Sequence, residues 1–431
     1  MKREPKMLSV AIAGLGTVGA ALVRQLRQHA DLIASRAGQP IVIKAVCALA
    51  KPSRRQCDLS GIRWIADPRG LAALADVDVV VELMGGADGA ALQLARSALA
   101  NGKHLVTANK ALIAKHGYEL AKLAEKNGVQ LSFEAAVAGG IPVVKTLREG
   151  FAGDKIDKVS GILNGTCNYI LTRMREEKLS FAAALADAQK QGYAEADPAA
   201  DIDGPDTANK LAILTALAFG VKPDLSSVRV EGIRRITPLD LRFAEELGYR
   251  VKLLGTARQT PQGIEQTVGP SLIPELSPLA GVSGTLNCIF INGRFVGPIT
   301  LVGRGAGGEP TANAVTADIM DIARGERGFA FSSPASRLRP LKAGKTQPMR
   351  YYMRLQVQDR PGVVADIGKI MRDESLSFES LIQRGRSQMK SVPVIVTTHA
   401  GDADAMKRAA KKIAKLSTVT EFPCLMPMED I

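Results

Sequence analysis

Aromatic residues make up only 4% of this 431-residue chain, with one Trp, and its basic residues are not interleaved with them. A stacking platform for nucleobases is therefore not expected. Cysteine is scarce too. Cys47, Cys57, Cys167, Cys288 and Cys424 form no CxxC pair, which argues against a disulfide framework or a zinc site. No uninterrupted apolar run approaches the roughly 20 residues of a membrane helix. The start, Met1-Lys-Arg and then a short strand-like run, lacks the apolar stretch and small-residue cleavage site of a signal peptide. These absences lead us to expect a soluble, cytoplasmic protein with no membrane or nucleic-acid partner.

What is present is ordinary globular composition, 46% apolar and 23% charged, with 56 basic against 43 acidic residues and a formal net charge of +13. With nucleobase stacking set aside, such an excess suits phosphorylated or carboxylated small ligands. The length exceeds what one hydrophobic core usually serves, so several domains are expected.

Short aliphatic runs at 8–13, 41–47, 77–82, 104–107 and 129–133 alternate with helical stretches at 19–28, 89–100 and 117–127. This alternation predicts an α/β, doubly wound parallel sheet of Rossmann type. Further on, Ala-rich helices near 181–191 and 207–218 and strand-like runs near 253–256 and 288–291 predict a mixed α+β region. Residues 338–350 have linker composition, with two prolines, a glycine and Arg339, Lys342, Lys345 and Arg350. Beyond them the pattern reads βαββαβ, a ferredoxin-like order, with the last strand at 419–425. The division expected is an α/β domain at 1–144, completed by about 308–337, an α+β domain at 145–307, the linker, and a ferredoxin-like domain at 351–431.

Gly14-Leu-Gly-Thr-Val-Gly19 is a complete GxGxxG placed after a strand and at the start of a helix. Gly14 permits the tight turn, Gly16 lets a pyrophosphate approach the helix N-terminus, and Gly19 lets helix and strand pack closely. Leu15, Thr17 and Val18 complete the turn. NAD-preferring sites usually place a carboxylate at the end of the second strand, but this strand ends Val46-Cys-Ala-Leu-Ala50 and is followed by Lys51, Arg54 and Arg55. Cations there suit a 2′-phosphate, so NADP is the expected cofactor, with NAD as the alternative. A solvated basic loop would look the same.

Residues 188–210 gather five carboxylates and two lysines into a loop that feeds a helix. Asp206 and Lys210 stand four apart and project from one helix face. An ordinary ion pair accounts for those two but not for the flanking Gly192-Tyr-Ala-Glu-Ala-Asp-Pro. From Ala188 to Lys210 the chain resembles the homoserine dehydrogenase family. Thr107-Ala-Asn-Lys110, Phe133 to Pro142, Leu163-Asn-Gly-Thr-Cys-Asn-Tyr-Ile170 and Gly303-Arg-Gly-Ala-Gly-Gly-Glu-Pro-Thr311 extend the resemblance up to the linker.

The resemblance implies reversible reduction of L-aspartate 4-semialdehyde to L-homoserine, within threonine, methionine and isoleucine biosynthesis. By that likeness Lys210 is the proton donor and Lys110 a second catalytic lysine that also meets the cofactor. Glu195 and Asp206 are the substrate carboxylates, and Gly192, Gly305 and Gly307 join the glycine turn and the Lys51 and Arg54 loop in holding the cofactor. It also implies a monovalent cation such as Na+ or K+, held at Glu134, Val137, Gly139 and Ile141 chiefly by backbone carbonyls; an interdomain crossover needing glycines reads the same way. The segment Leu355 to Ile367, with its Asp359-Arg-Pro-Gly362 turn, resembles an ACT domain, which implies an amino-acid effector such as threonine and a homodimer or homotetramer. A non-catalytic NADP-sensing regulator and a dehydrogenase of another semialdehyde remain as alternatives.

Overall fold

The computed structural model describes residues 7–49, 57–384 and 391–430. They fall into two units interleaved along the chain. One holds the residues up to Leu163, Asp206–Val228 and Asn287–Lys342; the other holds Asn164–Pro205, Arg229–Leu286 and the chain from Ala343.

The first unit is built on six parallel strands: β1 (Leu8–Ala13), β2 (Ile41–Cys47), β3 (Arg63–Trp64), β4 (Val79–Glu82), β5 (His104–Thr107) and β6 (Leu131–Ser132). Their order is β3-β2-β1-β4-β5-β6. β1 and β4 are buried along their whole length, as their continuous aliphatic runs require of a sheet covered on both faces. The order reverses between β1 and β4, and a ligand crevice is expected outside their carboxyl ends. Helix Gly308–Arg324 returns from far along the chain, and its Ala312, Val315, Ile319 and Ile322 join Val10, Ile12, Leu22 and Leu26 in one core. Each such Val, Ile or Leu contributes roughly 1.5–3 kcal/mol.

Two further parts of this unit bear on the site. Strands Gly297–Arg304, Leu286–Gly293 and Ile156–Ile162 lie side by side in that order. Helix Pro205–Phe219 is buried over most of its length, Leu211, Ala212, Ile213, Leu214 and Ala216 being fully enclosed, which is why its sequence is apolar on every side.

In the second unit the strand order is Tyr249–Thr260, Gly263–Pro274, Cys424–Met428, Arg350–Gln358, Ser391–Thr398, Phe378–Gln383. From Arg350 the elements run strand, helix, strand, strand, helix, strand, the ferredoxin-like βαββαβ order, with helices Val363–Asp373 and Ala403–Ile413. The last strand differs from expectation. It begins at Cys424 rather than 419, because its ladder pairs Cys424 to Met428 with Arg354 to Arg350, while Pro423 has no N–H to donate. Among the described residues no helix is long and apolar enough to cross a membrane.

Candidate active site

The glycine turn leaves β1 with Gly14 in the left-handed region, φ +99°. A Cβ there would stand 2.5 Å from the Leu83 carbonyl oxygen, and one at Gly19 would stand 2.0 Å from the Gly14 carbonyl oxygen. Both glycines are therefore fixed by backbone packing. Gly16 differs: a Cβ would meet nothing within 4 Å. It is the residue before helix Thr17–Gln28, whose first turn has no side-chain cap, so this gap faces backbone N–H groups and the positive end of the helix dipole. Leu15 is buried, while Gly16 and Thr17 are exposed and Val18 is half-buried. The cradle fits a pyrophosphate. Lys51, Arg54 and Arg55 lie outside the described residues.

A network that sequence reasoning missed starts at the end of β4. Glu82 is fully buried. Its Oε1 accepts from the Met84 N–H at 2.7 Å and the Gly85 N–H at 3.3 Å, and its Oε2 from the Thr107 hydroxyl at 2.6 Å. The Thr107 oxygen accepts from the Asn109 N–H at 3.0 Å. Asn109 in turn caps helix Lys110–Lys126, its Oδ1 accepting from the Leu112 N–H at 3.0 Å, and its Nδ2 donates to the Gly86 carbonyl at 2.6 Å. The helix thus starts at Lys110, well before the expected 117. The one sign of this in the sequence is a carboxylate closing an otherwise apolar strand.

Lys110, the first residue of that helix, meets Asp206 from the opening turn of helix Pro205–Phe219. Lys110 Nζ lies 2.8 Å from Asp206 Oδ1, and Lys210 Nζ lies 2.8 Å from Asp206 Oδ2. Lys210 also donates to the Leu163 carbonyl at 2.7 Å. The two lysines are unequal: 41% of the Lys110 side chain is exposed against 10% for Lys210. Burial alone would push the Asp206 carboxyl up, but Lys210 and then Lys110 outweigh it and hold the carboxyl far below the ordinary range. One carboxylate thus fixes two proton-bearing ammonium groups, the more buried of them also anchored to backbone.

Glu195 and Gly192 belong to the second unit. Gly192 has φ +75° in the turn after helix Phe181–Lys190. Glu195 is exposed, with its backbone carbonyl held by Gln189 Nε2 at 3.0 Å. The turn is tied to the start of helix Gly165–Glu176, where the Thr166 hydroxyl donates to the Tyr193 carbonyl at 2.7 Å and Asn164 Nδ2 donates to Asp201 Oδ1 at 2.7 Å.

The stretch from Glu134 to Ile141 runs against the turn at Gly305 and Gly307. The Gly140 N–H donates to the Arg304 carbonyl at 3.0 Å, and a Cβ on Gly139, φ +41°, would stand 2.8 Å from the Gly305 carbonyl oxygen. Ala138 shares the left-handed region at φ 54°, while Val137 and Ile141 are fully buried. The Glu134 carboxylate is occupied by the N–H groups of Val144 at 2.9 Å and Lys145 at 2.8 Å. Burial pushes its carboxyl up, and the enclosed Asp318 beside it is pushed up to about 7 by burial and by the Glu134 charge. Among the described residues no group of three or more His, Cys, Asp or Glu is placed to hold a metal ion. Gly305 packs against the Asn287 side chain, and Gly307 precedes helix Gly308–Arg324.

Comparison with known proteins decides what this geometry belongs to. A homoserine dehydrogenase of Neisseria gonorrhoeae is 44% identical over 99% of this chain and 99% of its own length. The chain belongs to the homoserine dehydrogenase family. The family's profile matches residues 142–320, and the profile of its NAD-binding domain matches 14–134, starting on the first glycine of the turn. The homoserine dehydrogenase of Helicobacter pylori is 39% identical over 99% of this chain and all of its own. The crystal structure of a homoserine dehydrogenase from Thiobacillus denitrificans superposes with a TM-score of 0.91 at 41% identity, covering 99% of both chains. A hyperthermophilic archaeal homoserine dehydrogenase mutant solved in complex with NADPH has a TM-score of 0.63 at 26% identity, over 73% of this chain and 97% of its own. As a homoserine dehydrogenase the chain is an oxidoreductase with a Rossmann-like NAD-binding domain.

Proposed function

We propose that Lys110, Asp206 and Lys210 form the reaction centre for reversible reduction of L-aspartate 4-semialdehyde to L-homoserine, in the synthesis of threonine, methionine and isoleucine. The observation that carries this reading is the single buried carboxylate bridging two lysines, one set at the start of a helix that follows a parallel strand. Lys210 gives its proton to the carbonyl oxygen as charge develops there. Lys110, more exposed, polarises the same oxygen and faces the cofactor. Asp206 holds one lysine at each of its oxygens and turns to the substrate ammonium when substrate displaces one of them, with Glu195 as the second carboxylate. The nicotinamide, when bound, supplies the hydride; the turn from Gly14 to Gly19 holds its pyrophosphate, and Gly192, Gly305 and Gly307 complete the cradle. The archaeal relative in complex with NADPH and the basic Lys51, Arg54 and Arg55 favour NADP over NAD. A monovalent cation rests on the carbonyls of Glu134, Val137, Gly139 and Ile141.

The test follows loss of reduced-nicotinamide absorbance on adding aspartate semialdehyde, with NADPH and NADH in parallel. NADPH is expected to give the higher kcat/KM, and equal efficiencies would refute the preference. Lys210→Ala is expected to abolish turnover with NADPH binding nearly intact; retained turnover would sink its role.

The three-part division expected from the sequence is retained in this proposal, with residues 351–431 as an ACT domain of a cytoplasmic homodimer or homotetramer. A recess lined by Asp359, Arg360, Pro361, Val363, Val364 and Gln383 at the first turn of that domain offers a place for threonine. Threonine inhibition unchanged after deletion from Tyr351 would exclude this regulation.

A further inference from the structure

Five carboxylates lie between Gly192 and Asp206, and the proposed reaction uses two of them, Glu195 and Asp206. The other three are taken up inside the second unit. Asp197 accepts from the Ala199 N–H at 3.1 Å, and Asp201 from the Asn164 amide. Asp203 is held from outside the loop. Arg234 Nε and Nη2 reach its two oxygens at 2.5 and 2.8 Å, a bidentate fork that keeps the Asp203 carboxyl below its ordinary range.

Asp203 directly follows the one-turn helix Ala199–Ile202. A single turn cannot hold its own shape in water, so its position is set by what it rests on. Arg234 belongs to a segment fixed on strand Gly263–Pro274: Arg229 and Val230 pair with Thr267 and Val268, and the Glu231 N–H donates to the Val268 carbonyl at 2.8 Å. From there the Ile233 N–H donates to the Ile202 carbonyl at 2.9 Å, and Gly232 passes so close that a Cβ would stand 2.4 Å from the same oxygen. Arg234 carries this grip one residue further along the chain, to Asp203. After Gly204 the chain enters helix Pro205–Phe219, with Asp206 in its first turn and Lys210 one turn later.

An exposed ion pair ordinarily contributes little to stability, and the Arg234 and Asp203 side chains are 52% and 41% exposed. Their place in the chain gives them another duty. The Asp206 carboxylate holds two lysines by single contacts of 2.8 Å, and a displacement of about 1 Å at a reacting group costs on the order of a hundredfold in rate. We propose that Arg234 and Asp203 are positioning residues for the reaction: their ion pair fixes the turn from which helix Pro205–Phe219 departs, and with it the bearing of Asp206 and Lys210. The inference rests on the reading of Asp206 and Lys210 as part of the reaction centre.

The test is steady-state kinetics of aspartate semialdehyde reduction by NADPH for Arg234→Met, Asp203→Asn and the double variant, with thermal melting of each. Both single variants should lower kcat/KM for the semialdehyde about tenfold or more, with the KM for NADPH within about twofold and the melting temperature within about three degrees of the parent. The double variant should be no worse than the singles, since each breaks the same pair. The two substitutions change the charge in opposite directions, so an effect of the protein's field on a charged substrate would move kcat/KM oppositely, whereas positioning moves it the same way. Arg242→Met, which breaks an exposed pair with Glu246, should leave kcat/KM unchanged. Unaltered kinetics in both single variants would overturn the proposal. So would effects of opposite sign, additive losses in the double variant, an equal loss in Arg242→Met, or a melting temperature lowered by more than about three degrees. Lys210→Ala, run alongside, keeps the two readings apart. Retained turnover there strikes the reaction centre and this inference with it; lost turnover there, with Arg234→Met and Asp203→Asn unaltered, strikes this inference alone.

Discussion

One methyl group, placed in turn at Gly16 and at Gly19, separates the two duties of the glycine turn. At Gly16 the backbone, φ −69° and ψ −159°, is open to alanine and a Cβ meets nothing within 4 Å. Gly16→Ala should keep the fold and leave the melting temperature of the free protein close to the parent's, the narrower unfolded ensemble offsetting the poorer helix N-cap that alanine makes. The methyl nevertheless stands where the pyrophosphate must reach the first N–H groups of the helix. Losing one hydrogen bond to a charged group costs about 1.5–3 kcal/mol, which is about 10- to 150-fold in Kd for NADPH. At Gly19 a Cβ stands 2.0 Å from the Gly14 carbonyl oxygen, a backbone atom that cannot rotate away. Gly19→Ala should therefore lower both the melting temperature and NADPH affinity. Fluorescence titration of NADPH, with thermal melting of the cofactor-free protein, reads the two effects separately. A Gly16→Ala protein that binds NADPH within twofold of the parent, or that melts several degrees lower, would refute the reasoning.

Asp240 is fully buried and takes Arg354 Nε at 2.8 Å, the Tyr352 hydroxyl at 3.1 Å and the Thr237 N–H at 2.8 Å. Asp240→Asn leaves the buried Arg354 guanidinium with the exposed Glu421, at 3.4 Å, as its remaining counter-charge and should cost about 3 kcal/mol, read from the urea midpoint; adding Arg354→Met should recover more than half, and a single-variant cost under about 1 kcal/mol would contradict this. The Asp206 carboxyl, held low by its lysines, contributes stability that is complete above the unfolded carboxylate value of about 3.9 and is lost as pH falls below it. The melting-temperature gap between the parent and Asp206→Asn should accordingly narrow between pH 5 and 3, and a gap independent of pH would rule the linkage out. Glu82→Gln should lower kcat more than it raises the KM for NADPH, since Gln has a single acceptor oxygen and cannot take both the Thr107 hydroxyl and the Met84 and Gly85 N–H groups as the two carboxylate oxygens do; unchanged kinetics would remove Glu82 from the positioning of Lys110.

The parallel core was legible because its information is local. β1, β2 and β5 are apolar runs ended by turn residues, and they lie where periodicity places them. The two-residue, exposed β3 carries no such signal. In the candidate site, the spacing of Asp206 and Lys210 announces their pairing, since one helical turn brings them together. Lys110 reaches the same carboxylate only through the packing of two helices, and the Glu82 network only through neighbouring parallel strands. Those meetings are set by tertiary structure; the sequence marks Lys110 by family resemblance and by its place after a strand, and Glu82 only as a carboxylate closing an apolar run.

Helix Gly308–Arg324 has a consequence for how this protein is made. The core of the first unit takes Val315 and Ile319 from a segment that leaves the ribosome long after β1 to β6. Until residue 324 has emerged, the nascent parallel sheet and its first helix carry apolar side chains, Leu22 and Leu26 of helix Thr17–Gln28 among them, that lack this cover. Such a sheet closes only across a very long stretch of intervening chain, which slows folding and prolongs exposure to aggregation and to chaperones. The dinucleotide-binding sheet, translated ahead of helix Gly308–Arg324, is in this sense finished late.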